Sequence, residues 1–368
     1  MSTADHGARR AALRRLLADR ELDVLIVTDL LNIRYLTGFT GSNAALVVDA
    51  ADEPGAEDRT VVCTDGRYVT QVGEQVPDLR AIIDRASAAA LIRTLADRPG
   101  VRAGFESHVV TVDALAGWRD AAPNLTLTRC PRLVERLREV KDEHEIGLLR
   151  RACTAADVAL AALIERGGLR PGRTEREVGR ELEFLMLENG ADGISFETIV
   201  AAGANSAIPH HRPTDAVLAS GDFVKLDFGA TVAGYHSDMT RTYVLGSAAD
   251  WQRDVYDLVS RSQAAGRAAL APGAPLAEVD AASRSVIEAA GYGELFQHGL
   301  GHGVGLEIHE APGIGKAGAG TLLAGAAVTV EPGVYFSGRG GVRIEDTLVV
   351  REEEPELLTL TSKDLTIV

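Results

Sequence analysis

Short apolar runs separated by segments of helical spacing fill the first third of the chain. Residues 8–20 set Leu13, Leu16 and Leu17 on one side of a helix. LDVLIVTD (22–29) reads as a buried strand. NIRYLTGFTGSNAALVVDA reads as a loop with Gly38 and Gly41, then a second strand, and RTVVCTDGRYV as a third. Helices are expected around 67–75 and 87–97, a strand over 101–107, a helix over 111–120 and a last strand over 125–130. Strand and helix alternate, so an α/β domain is expected over residues 1–132.

From Pro131 the rhythm changes. RLVERLREVKDEHEIGLLRRACTAADVALAALIERGG predicts one or two long helices stopped by Gly167 and Gly168. LRPGRTEREV (169–178) then matches LAPGAPLAEV (270–279): a helix end, a Pro-Gly turn and a Glu-Val pair inside the next helix. Each copy is followed by a helix and then by strands. Two copies suggest a domain, residues 133–368, with a pseudo-two-fold axis.

Each half also carries a hairpin with two acids. In DFVKLDFGATVAGYHSDMTRTYV, Val224, Leu226 and Phe228 lie on one face, Lys225 and Asp227 on the other. The midpoint of Asp227 and Asp238 falls between Val232 and Ala233, inside the connecting loop, so symmetric pairing would set the two acids directly opposite each other. Opposed carboxylates repel across a sheet, and a cation between them removes that penalty. Downstream, Glu331 in AVTVEPGVYF and Glu345 in GGVRIEDTLVV are centred on Gly338 in the loop SGRGG. Between the hairpins, HGLGHGVGLEIHE contributes His298, His302 and His309. Four carboxylates and a histidine form a hard, oxygen-rich site suited to Mn²⁺ or a similar divalent ion, and large enough for two.

Singly, these residues are ordinary. Asp227 could be a strand-end acid, Asp238 a surface partner of Arg241, Glu331 a turn marker before Pro332, and His302 a core histidine. Their joint pattern, one acid pair per half with GHG between, is what favours a metal site. The GHGVG glycines are spaced like a phosphate loop, but no GK[ST] follows.

Composition narrows the classes. The 368 residues carry a formal net charge of −15, opposite to the basic stripe of a nucleic-acid binder. Cys63, Cys130 and Cys153 are few, odd in number and widely spaced, which suggests buried thiols in a reducing compartment. The basic N-terminus lacks the apolar core of a secretory signal, and no apolar run reaches the roughly 18 residues of a membrane helix. A cytoplasmic protein without membrane or nucleic-acid partners is expected.

The set Asp227, Asp238, His302, Glu331 and Glu345, in that order and context, resembles the pita-bread metallopeptidases, and most closely the Xaa-Pro peptidases, aminopeptidase P and prolidase. NIRYLTGFTGSN is similar to the N-terminal domain shared by creatinase and prolidase. The resemblance implies an α/β N-terminal domain of that type followed by an α+β pita-bread catalytic domain. It implies two divalent metal ions, most readily Mn²⁺, with Co²⁺ or Zn²⁺ as alternatives. Asp227 would hold one ion through both oxygens, Asp238 and Glu345 would bridge, and His302 and Glu331 would complete the other shell. It further implies His210, in SAIPHHRPTD, near the scissile bond, with His211 leaving the register open by one. His309 would stabilise the tetrahedral intermediate and His298 would sit near the carbonyl of the proline residue. Glu331 would shuttle the proton, and Arg343, a substrate-side residue, would hold a bridging acid in place. Tyr235 is a further candidate for the pocket wall.

The expected activity is release of the N-terminal residue from peptides with proline second. A prolidase restricted to dipeptides is the near alternative, and a non-catalytic peptide-binding pita-bread module is the alternative of another class. A metal-free, creatinase-like hydrolysis is a third. The resemblance implies a homodimer or higher homo-oligomer.

Overall fold

The computed structural model of the chain describes residues 4–51, 53, 55–98 and 100–368. Backbone contacts divide it into two units, one ending at Arg138 and the other covering Glu139–Val368.

The first unit is a six-stranded sheet of β1 (Val24–Val27), β2 (Ala44–Asp49), β3 (Val61–Thr64), β4 (Arg80–Ile83), β5 (Arg102–Phe105) and β6 (Thr126–Arg129), ordered β4-β3-β2-β1-β5-β6. β1–β2 and β2–β3 are antiparallel, the other pairs parallel. The central strands β1, β2 and β3 are buried at every position, as a sheet covered on both faces requires. Two elements depart from the sequence-based expectation. The stretch read as a loop contains a helix, Leu30–Thr37, capped by Asp29, which accepts from the N–H groups of Leu31 and Asn32, and closed by Gly38 at φ 82°. Its eight residues are too few to display a helical period. β4 was not expected either: it is a half-exposed edge strand with no apolar alternation.

In the second unit the helix Glu143–Glu165 starts at a capping box of Asp142 and Glu145 and ends before Gly167 at φ 65°. The repeat is plain in the structure. Helices Glu175–Glu188 and Leu276–Ala289 have the same 14-residue length. The residue before each forms an isolated bridge, Thr174 with Val217 and Pro275 with Thr321. The remaining strands are β7 (Gly193–Ile194), β8 (Ile199–Ala202), β9 (Phe223–Phe228), β10 (Ala230–Val232), β11 (Tyr235–His236), β12 (Met239–Val244), β13 (Gly301–Gly303), β14 (Glu310–Ile314), β15 (Ala327–Val330), β16 (Gly333–Phe336), β17 (Gly340–Arg343), β18 (Asp346–Val349) and β19 (Glu356–Leu357). They form the sheets β12-β9-β8, β11-β10-β7, β14-β13-β15-β18-β19 and β16-β17. Helices Glu143–Glu165 and Glu175–Glu188 pack on the apolar face of β9 through Val224, Leu226 and Phe228. Helices Asp250–Ala268 and Leu276–Ala289 pack on β15 and β18 through Val328, Val330 and Leu348. Each half thus turns its polar strand face away from its helices.

The first hairpin differs from the expected register. Its turn residues are Ala233 and Gly234, at φ 46° and 74°, the left-handed pair that a two-residue hairpin turn requires. The centre is therefore one residue later than expected, and Asp227 pairs with Thr240, not Asp238. Asp238 lies two positions from Thr240 on the same face, a diagonal neighbour of Asp227. The second hairpin keeps the expected register: β16 pairs with β17 and β15 with β18 about Gly338. Glu331 and Glu345 fall in the gap between those two ladders. There the Glu331 N–H donates to Leu300 and that of Glu345 to Thr240, so both main chains tie into neighbouring segments.

β13 is held between β14 and β15, with a register shift between His302 and Gly303. A Cβ on Gly301 would lie 2.0 Å from the Thr329 carbonyl oxygen, and one on Gly303 2.0 Å from that of Ala311. The glycines around His302 are thus explained by close strand approach and not by phosphate binding. Gly303→Ala is expected to destabilise the second unit by about 1–3 kcal/mol, read as a lower thermal midpoint; an unchanged midpoint would show that β13 has room there.

Candidate metal centre

β9 brings Asp227, the segment before β12 brings Asp238, β13 brings His302, and the gap in the second hairpin brings Glu331 and Glu345 to one cavity of about 610 Å³. His210, His298, His309 and Arg343 line the same cavity. One donor atom each from Asp238, His302 and Glu345 lies within 4.8 Å of the others. The His302 Nε2 is 3.5 Å from Asp238 Oδ2 and 3.4 Å from Glu331 Oε1.

The protonation of these groups indicates what fits between them. His302 Nδ1 is 3.0 Å from the Gly303 carbonyl oxygen, so Nδ1 carries the proton and donates it there. Burial holds the ring below its ordinary pKa, hence neutral. Nε2 therefore turns a lone pair toward two carboxylates that are themselves acceptors. Asp227 Oδ1 is buried without a hydrogen-bond partner among the described residues, a costly arrangement for a carboxylate oxygen. Burial, then repulsion from Asp227 and Glu331, pushes the Asp238 carboxyl well above its usual range. Burial, then Asp238, Glu331 and Asp227, does the same to Glu345. Glu331 is pushed up to about 7 by burial and by Asp227, against the pull of Arg343. Converging acceptors with an orphaned oxygen fit a hard divalent cation, with carboxylate and imidazole as its ligands.

Protein donors occupy only the outer sides of the acids. Thr240 Oγ1 donates to Glu345 at 2.7 Å and Thr329 Oγ1 to Glu331 at 3.1 Å. Arg343 is 2 % exposed and spends its guanidinium on protein atoms: Thr240 Oγ1, the Pro209 carbonyl, Tyr335 Oη and Asp227 Oδ2. Its acid partner is thus Asp227, not the bridging acid the resemblance implied.

The histidines divide into two classes. His298 donates from Nδ1 to the Gly299 carbonyl at 2.8 Å and accepts at Nε2 from Tyr335 Oη at 2.9 Å. Burial, then Arg343, pushes it down to about 3, so it is neutral with both nitrogens engaged. His210 and His309 are exposed to the cavity, and neither ring nitrogen has a hydrogen-bond partner among the described residues. The His309 ring packs edge-on against His302 at 4.4 Å between centroids. The neighbouring His211 is buried, 2.8 Å from Glu175, which separates it from the free His210. Tyr235 is turned elsewhere, its hydroxyl donating to Glu145 at 2.8 Å.

Sequence reasoning passed over Tyr335, Thr240 and Glu175. Tyr335 shares a strand face with Gly333 by alternation, a signal available in GVYF. Glu175 accepts from Ala202, Asn205, His211 and Thr214; in sequence it is one acid among several at a helix start.

Comparison with known proteins agrees with this geometry. The sequence pattern of metallopeptidase family M24 matches residues 147–352, and that of the creatinase/prolidase N-terminal domain matches residues 9–140. The uncharacterized peptidase YqhT of Bacillus subtilis is 39% identical over 359 residues, 96% of this chain and 98% of its own. Among solved structures, an Xaa-Pro dipeptidase from Bacillus anthracis superposes with a TM-score of 0.93 at 36% identity, covering 99% of this chain and 100% of that one. An X-Pro aminopeptidase from Thermotoga maritima gives 0.87 at 30% identity, covering 98% and 99%.

A carboxyl whose pKa is raised by folding binds more protons folded than unfolded. Its stabilising contribution is complete below the unfolded value and is lost as pH rises through the folded one. For Glu331 that window runs from 4.5 to about 7; for Asp238 and Glu345 it extends upward from the ordinary carboxylate range. The lowered His298 and His302 act in the opposite sense below the ordinary histidine value of 6.5, so chelator-treated protein is expected to melt at progressively lower temperature between about pH 6.5 and about pH 8. Added Mn²⁺ should remove that fall, raising the midpoint more at the higher pH. A chelated midpoint that stays level or climbs over this range overturns the charge arrangement described.

Proposed function

Because the chain belongs to metallopeptidase family M24, a family of dinuclear metal-dependent pita-bread enzymes, we propose that it hydrolyses the peptide bond preceding proline in short peptides. The observation that carries the reading is the neutral His302, its Nε2 lone pair facing Asp238 and Glu331. Asp227, Asp238, His302, Glu331 and Glu345 would hold two divalent cations, with Mn²⁺ favoured by the oxygen-rich set. When bound, such ions supply Lewis acidity and lower the pKa of water enough for attack at neutral pH.

The remaining chemistry belongs to the chain's own residues. The proline nitrogen at the scissile bond carries no hydrogen, so recognition cannot depend on a donor there. As the C–N bond breaks, that nitrogen leaves as a secondary amine and must gain a proton. Glu331, which lines the cavity beside His302, would serve both halves of the transfer: it would take a proton from the attacking water and give it to the nitrogen. His210 and His309 retain free ring nitrogens, which suits them to the scissile carbonyl and the oxyanion that develops from it. His298, with both nitrogens engaged, would contribute shape through its ring. Arg343 would fix Asp227, an outer contact whose loss is expected to weaken metal binding.

The greater likeness to the Bacillus anthracis dipeptidase favours dipeptides; longer Xaa-Pro peptides are the second reading, favoured by the likeness to the Thermotoga maritima aminopeptidase. The test uses Mn²⁺-reconstituted protein, with an Xaa-Pro dipeptide beside an Xaa-Pro-Xaa tripeptide, each with and without chelator. Chelator-sensitive cleavage of the dipeptide alone supports a prolidase, and cleavage of both supports an aminopeptidase. Cleavage of neither overturns the reading, and activity that survives chelation points to metal-free chemistry.

Asp238→Asn is expected to cut turnover by more than about 100-fold, beyond the usual effect of losing an outer-shell partner, and to lower bound metal. Wild-type rates from a folded variant would remove Asp238 from the site.

A further inference from the structure

Lys225 takes no part in the chemistry above, yet it is fully buried on β9, two residues from Asp227. No carboxylate lies within ion-pair distance of it among the described residues. Its Nζ donates to the Ile208 carbonyl at 2.6 Å and to the Pro209 carbonyl at 3.3 Å, and lies 5.1 Å from the centroid of the Tyr335 ring. A buried amine whose polar partners are carbonyl oxygens and a ring face is an expensive way to fill space, since an apolar residue of equal volume avoids the desolvation. The arrangement makes sense through what it holds. Pro209 immediately precedes His210, and its carbonyl takes a second donor, Arg343 Nη1 at 3.2 Å. On the other flank the His211 ring is 2.8 Å from Glu175. The segment is therefore pinned on both sides of His210, whose ring is exposed to the cavity.

We propose that Lys225 is a positioning residue for the reaction: its two hydrogen bonds to the main chain before His210 hold that imidazole at the working distance from the metal-binding acids. This rests on the reading that His210 acts on bound peptide. The hold also ties the loop to the ligand strand itself, because Lys225 and Asp227 share β9 and Arg343 reaches both Asp227 and Pro209. The main chain before His210 is thus held by one donor on the strand that carries Asp227 and by another, on β17, that binds Asp227 itself.

The test is a double-mutant cycle of Lys225→Met and His210→Ala on Mn²⁺-loaded protein with an Xaa-Pro dipeptide, joined to hydrogen exchange of residues 206–212. Lys225→Met is expected to lower kcat about tenfold, the scale of losing a buried hydrogen bond. In the His210→Ala background the same change should cost less than about twofold, because a residue that acts through His210 has nothing left to position. Amide exchange across 206–212 should quicken, with bound metal unchanged. Equal losses in both backgrounds, reduced metal, or unchanged exchange each overturn the proposal and assign Lys225 to Asp227 or to packing. If Lys225→Met does not fold, Lys225→Gln replaces it, being too short to reach both carbonyls. Wild-type protein inactive on every Xaa-Pro peptide would defeat the proposed function, while the exchange measurement, which needs no substrate, still decides whether Lys225 holds the loop.

Discussion

Everything in the second unit is arranged around a set of buried acceptors that the protein itself does not satisfy. Four carboxylates and the lone pair of His302 converge, and one oxygen of Asp227 has no hydrogen-bond partner among the described residues. Buried polar groups are almost always paired, and like charges in low dielectric push one another toward neutrality. Both consequences are seen here, in the orphaned oxygen and in the raised carboxyls of Asp238, Glu331 and Glu345. Such a cluster persists only because the surrounding fold over-determines it. Two helix pairs, packed on the outer strand faces, supply the apolar burial that offsets the strain.

The fold supports the acids without filling the space between them. Thr240 and Thr329 donate from the outer sides, and Arg343 closes the back of Asp227. A protein cation aimed into the middle would neutralise the acids and destroy the site. Arg343, fully buried beside them, is instead turned so that further N–H groups meet Thr240, Pro209 and Tyr335. In the second hairpin the ladder opens at Glu331 and Glu345, and their main-chain N–H groups go to Leu300 and Thr240. That opening ties β13 and β12 to the hairpin at the level of the acids.

Much of this was legible in the sequence, for identifiable reasons. Period-two alternation assigned the faces of β9, and a glycine-rich loop centred on Gly338 gave the register of the second hairpin. The first hairpin slipped by one turn residue because Ala233, not a glycine, occupies the first left-handed position. A non-glycine residue there carries no turn signal of its own. The helix Leu30–Thr37 and the edge strand β4 were hidden by shortness and by exposure, respectively. Lys225 was legible only as a polar residue on the polar face. Its burial depends on the 208–209 carbonyls, which reach it across 16 and 17 residues, and no local pattern encodes that.

The histidines show how one local device serves two ends. His298-Gly299 and His302-Gly303 are the same dipeptide four residues apart, and in each the ring Nδ1 donates to the carbonyl of the glycine that follows. This fixes the tautomer and leaves Nε2 as an acceptor in both. What differs is the surroundings of Nε2. At His302 they are carboxylates, so the lone pair is free for a cation. At His298 they are the Tyr335 hydroxyl, itself receiving from Arg343, so the lone pair is spent inside the protein. The strand pairing of β13, squeezed by glycine, turns one ring toward the acids, and the bonded chain from Asp227 through Arg343 and Tyr335 captures the other. Residue type alone therefore does not assign these two histidines; the partner that each Nε2 meets does.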